Sequence, residues 1–166
     1  MVSPKEILVN IWYGDSTDIS IREWVFDYIE QNENVPEEIF EIFDADSTSQ
    51  EALLMKIVAI SDSEFDSQCV QAEVMAAKLL LKVASDYLVG NVKPSDVCAV
   101  INNIDCGFLG APRGLPDKIA YYQKWLGNLY HSCDWCDGGW TQSNAPHLKQ
   151  DLQEQITVIQ TWLEKS

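Results

Sequence analysis

Between about Ser67 and Val89 the chain carries an apolar stripe, Val70, Val74, Ala77, Leu81, Ala84 and Leu88, and then meets Gly90. Steps of three and four residues place those side chains on one face of a helix, and a glycine just beyond suits its C-terminal cap. Further apolar residues flank the stripe, so most of the helix surface needs cover. A helix of that kind belongs at the centre of a fold, with other helices around it.

The rest of the chain supplies those helices. Ser3 and Glu6 form a capping-box pattern ahead of Ile7, Leu8, Ile11 and Trp12. Ile21, Trp24, Val25, Tyr28 and Ile29 repeat the stripe, with Asp18 as its cap. Pro36 suits a first helical turn before Glu37, Glu38, Ile39, Phe40 and Phe43. Thr48 and Glu51 make a second box before Leu53, Leu54, Ile57 and Val58. Helices are also predicted from Pro94 to Ile104, from Pro116 to about His131, and from about Pro146 to Glu164. Between the first two of these lies a loop, CGFLGAPRGLP. No alternating strand pattern, repeat or low-complexity tract interrupts them. The expectation is one all-α domain over residues 1–166, a bundle of seven or eight amphipathic helices.

Charge narrows the function. The chain has a net charge of −15, with 26 acidic residues against 11 basic ones. Fifteen of the acids fall between Asp15 and Asp66, where the only bases are Arg22 and Lys56. Such a segment repels nucleic acid and anionic membrane and attracts cations. A merely solubilising surface would not need that segregation. Asp15, Asp18, Glu30, Glu33, Glu37, Glu38, Glu41, Asp44 and Asp46 are therefore the candidate residues for binding a basic protein partner. Glu37 and Glu41, four apart, share a helix face, while Ile39, Phe40 and Phe43 are expected to turn inward.

Two stretches invite a chemical reading. HSCDWCDGGW, from His131 to Trp140, pairs Cys133 with Cys136 at half-zinc-site spacing, and His131, Cys106 or His147 could complete a tetrahedral set. No second pair has comparable spacing, and the pair follows a helix rather than opening one. Acidic neighbours also disfavour a reactive thiolate. The predicted outcome is a structural loop without metal, with His131 in a last helical turn and Trp135 and Trp140 packed back on the core. The odd count of five cysteines and the absence of a signal-peptide pattern in MVSPKEILVNIWYG point to reduced thiols in the cytoplasm. FDADST, from Phe43 to Thr48, resembles the nucleophile motif of haloacid-dehalogenase-type phosphatases in Asp44, Asp46 and Thr48. It has Ser47 where that family has glycine, and it lacks the strand that the motif needs. As a calcium loop it fails at Ser49 and Met55, where glycine and glutamate are required. A helix end followed by a capped helix start is expected instead.

His131 and His147 sit in no nucleophile motif, and there is no phosphate loop or dinucleotide fingerprint. No cofactor is implied and an enzyme is not expected. In overall character, acidic, small, single-domain and without a catalytic signature, the chain resembles bacterial immunity proteins, such as those paired with nuclease toxins of contact-dependent inhibition and polymorphic-toxin systems. That resemblance implies a tight one-to-one complex with a cationic toxin domain, with no direct contact to nucleic acid or membrane. The alternatives are an acidic helical adaptor or chaperone in a larger complex, and a zinc-dependent or carboxylate enzyme working in a concave pocket.

Overall fold

The structure, a computed structural model, describes residues 2–14, 21–109 and 124–164. Eight helices lie within them: α1 (Pro4–Tyr13), α2 (Ile21–Gln31), α3 (Glu37–Ile42), α4 (Ser47–Ser61), α5 (Val70–Leu88), α6 (Pro94–Leu109), α7 (Lys124–Ser132) and α8 (Pro146–Leu163). No strand occurs among the described residues. The fold is all-α, as the periodicity requires. No described helix is long and apolar enough to cross a membrane.

α5 is the central helix, packed by α1, α6 and α8. Its buried face is Ala72, Glu73, Ala76, Ala77, Leu80, Val83, Ala84 and Tyr87, while Val70 at the start of the expected stripe is 54% exposed. Leu79, Leu80 and Leu81 are consecutive, so the sequence offered more than one plausible stripe, and the packed structure selects one about a residue away. α1 links the centre to α4, α4 carries α3, and α3 carries α2. On the other side α7 packs on α6 and α8. Each fully buried Leu or Ile in this shared core contributes about 1.5–3 kcal/mol.

Local signals set several helix starts. Ser3 Oγ accepts from the Glu6 amide at 3.3 Å, and Glu6 Oε2 accepts from the Ser3 amide at 2.6 Å, which completes the capping box. α4 begins two residues earlier than its expected box implied. Asp46 is its cap and accepts from the Ser49 amide at 2.8 Å. Glu51 is directed elsewhere and accepts from Trp12 Nε1 at 2.7 Å, which ties α4 to α1. FDADST is thus a helix end followed by a capped helix start, as expected, with Asp46 rather than Thr48 as the cap. The proposed Asp18 cap lies outside the described residues, as does most of the glycine- and proline-rich loop.

α6 runs past its expected end at Ile104 and takes in Gly107. A Cβ at position 107 would run into the Tyr13 ring, so glycine allows α1 and α6 to approach closely. Tyr13 is buried, and its hydroxyl donates to the Ser67 carbonyl. Lys5, two turns before Tyr13 on α1, holds the same stretch of chain. Its Nζ reaches Asp62 at 2.6 Å and Gln71 at 2.8 Å and lies over the Phe65 ring. The hydrogen bond from Lys5 holds the Asp62 carboxyl below its ordinary range.

Candidate functional site

α2, the turn after it and α3 bring together most of the acids singled out above. Glu30 lies in the last turn of α2, Glu33 follows it, Glu37, Glu38 and Glu41 lie on α3, and Asp44 and Asp46 occupy the turn into α4. All are exposed except Glu38, which is half-buried. Geometry accounts for the difference. A helix advances about 100° per residue, so when Ile39 and Ile42 take the core face of α3, Glu37, Phe40 and Glu41 share the outer face. Glu38 falls between the two. Asp15 and Asp18 lie outside the described residues.

Phe40 does not turn inward as the sequence led us to expect. It is 54% exposed, and Ile42 is the residue buried in its stead, at 0%. A six-residue helix has room for one narrow core stripe, and two isoleucines three apart fill it. On α2, Phe26 is 55% exposed and meets the half-buried Phe43 edge-on, with ring centroids 5.2 Å apart. Arg22 lies over the Phe43 ring, 5.2 Å from its centroid. Exposed phenyl rings therefore sit among exposed carboxylates. Among the described residues Lys5 pairs with Asp62 and His131 with Asp134, and neither pair uses Glu30, Glu33, Glu37, Glu38, Glu41 or Asp44.

The cysteine-rich end differs from expectation. Cys133 is joined to Cys98 in a disulfide, with Cα atoms 5.4 Å apart. The reduced-thiol reading is corrected for these two residues. Cys69, Cys106 and Cys136 are free. A sulfur bonded to sulfur is not a thiolate ligand, so the candidate zinc set loses Cys133 in this state. Its other members are directed elsewhere. His131 Nδ1 lies 3.5 Å from Asp134, and His147 Nε2 lies 3.1 Å from the Ser132 carbonyl, with its ring edge-on to Trp140. No group of three potential metal ligands gathers among the described residues. Trp135 does not pack on the core. It is 92% exposed, and its backbone has a φ of 71°. Cys98, Cys133, Cys136, Tyr130, Trp135 and Asn102 are among the residues around a cavity of about 420 Å³ at this end.

Sequence reasoning also missed Glu73. It is 1% exposed in α5, its Oε1 has no hydrogen-bond partner, and burial pushes its pKa up to about 8. Its position one turn before Ala77 was the available signal, since residues four apart share a helix face.

No protein-family description matches the chain, and neither a curated protein nor a solved structure is similar to it.

Proposed function

We propose that this protein binds and neutralises a basic protein partner through the α2–α3 face, and that it acts as an immunity protein against a nuclease-type toxin domain. The observation that carries the reading is the set of acids Glu30, Glu33, Glu37, Glu41 and Asp44, exposed, in no ion pair among the described residues, and near exposed Phe26 and Phe40. A nuclease domain is basic because it binds phosphates, so an acidic face presents complementary potential and draws it in quickly. Charge governs the rate of encounter, while buried aromatic rings hold the complex once formed. Like charges four apart, as at Glu37 and Glu41, cost a few tenths of a kcal/mol in the free protein, a cost that a cationic partner relieves.

The cytoplasm is the proposed site of action. There, glutathione and thioredoxin keep most thiols reduced, and the disulfides that do form are mainly transient or redox-sensing. The proposal thus requires that the fold persist when the Cys98–Cys133 bond is open.

The test is co-production of the tagged protein with candidate basic toxin domains encoded beside its gene. Wild type is expected to restore growth and to co-purify with one of them at a one-to-one ratio. The E30K/E37K/E41K/D44K variant is expected to do neither. Equal protection by the folded variant would remove the α2–α3 face from the mechanism.

A further inference from the structure

We propose that Cys98, Cys133 and Cys136 form a thiol–disulfide exchange site in which Cys133 changes its disulfide partner between Cys98 and Cys136. All three residues border the same cavity of about 420 Å³. Cys98 lies on α6, Cys133 immediately follows α7, and Cys136 is the third residue after Cys133. The chain between the last two is folded back on itself, since the Cys136 amide donates to the Cys133 carbonyl at 2.9 Å. Neither of the two other free cysteines is among the residues lining that cavity. Cys69 caps α5, its sulfur accepting from the Ala72 amide at 3.4 Å, and Cys106 is exposed beside Asn102.

The step needs no outside oxidant. The Cys136 thiol loses its proton and its sulfur attacks the Cys133 sulfur. The Cys133–Cys136 bond forms as the Cys98–Cys133 bond breaks, and the electron pair leaves on Cys98, which takes up a proton. One disulfide and one thiol are present before and after. Burial and the Asp137 carboxylate hold the Cys136 thiol above its ordinary range, so the thiolate is scarce and exchange is slow.

Exchange changes what the disulfide holds together. In the first pairing it ties α6 to the end of α7 across a sequence separation of 35 residues. In the second it closes a short loop around Asp134 and Trp135 and releases α6. Trp135 then sits inside the new ring. Its left-handed backbone is costly for a bulky side chain, and a change in the loop that carries it is free to relax that cost. The site therefore couples thiol chemistry to the placement of the most exposed tryptophan among the described residues.

The experiment holds the full-length protein in a glutathione redox buffer, quenches it with acid, alkylates free thiols and maps disulfides in a non-reducing digest. Wild type is expected to give mainly Cys98–Cys133, together with a reproducible fraction carrying Cys133–Cys136 and alkylated Cys98. C136S should show only the first pairing. C98S, checked for helical content, should form Cys133–Cys136. If wild type shows no Cys133–Cys136 species after equilibration, the exchange does not occur, whatever C98S does. If C98S folds yet keeps both remaining thiols alkylated in the same buffer, the second pairing is not accessible and the proposal is wrong.

Discussion

Glu73 has two possible states in the folded protein, and both are costly. Charged, it lacks solvation, and neutral, it must hold a proton that the unfolded chain gives up. Its folded pKa of about 8 lies above the ordinary glutamate value of 4.5. The folded protein therefore keeps a proton between those values that the unfolded chain releases. The stability linked to this proton is complete below about pH 4.5, declines as pH rises to about 8, and is level above that. The full shift sets a ceiling of about 5 kcal/mol, and relaxation around the charged carboxylate reduces the expected loss to about 3 kcal/mol. Urea denaturation of wild type should show that loss between pH 5 and pH 8.5, and Glu73→Gln should flatten it. A wild-type curve equally stable at both pH values would show that Glu73 is solvated. Asp46 offers a second measurement at this scale. Asp46→Ala removes the side-chain acceptor for the Ser49 amide and should cost about 1 kcal/mol in the same assay. For that reason Asp46 is a poor choice for charge reversal, although it lies in the acidic turn.

At the scale of helices, local chemistry was legible and tertiary choices were not. The Ser3–Glu6 box could be read because both partners lie within one turn. The outward position of Phe40 could not, because it depends on Ile42 winning the core face of a very short helix. The extension of α6 was hidden for the opposite reason. Gly107 reads as a helix breaker until the Tyr13 ring is seen to need its missing side chain. Gly107→Ala should accordingly destabilise by about 1–3 kcal/mol through overpacking, although alanine is the better helix former. An unchanged or higher melting temperature would mean that α1 and α6 can separate at no cost. The Cys98–Cys133 link was illegible because spacing says nothing about which distant cysteines meet. Closing a loop with a separation of 35 residues corresponds to about 4 kcal/mol in the chain-entropy treatment. Adding a thiol reductant should lower stability by up to that amount and leave the helix content measured by circular dichroism intact. Loss of helicity on reduction would mean that the core does not suffice without the bond.

Over the whole molecule the dominant feature is the division of charge, and that was visible in the sequence. The segment from Asp15 to Asp66 accounts for most of the net −15, and most of its described acids on α2, on α3 and in the turns beside them are exposed. What the sequence could not supply was the apolar component of this face, since Phe40 read as a core residue and Phe26 stood outside the expected stripe of α2. The central claim is that the face attracts a basic partner, and the association rate as a function of salt tests it most directly. With the captured partner in stopped flow, raising salt from about 0.01 M to about 0.1 M shortens the Debye length from about 30 Å to about 10 Å. The wild-type rate should fall at least tenfold over that range, within the span typical of electrostatic steering. E30K/E37K/E41K/D44K, with its fold intact, should associate at least tenfold more slowly at the low-salt end and lose most of the salt dependence. An association rate indifferent to both salt and charge reversal, or a partner that is itself acidic, would contradict the claim and leave the acids as a solvated surface.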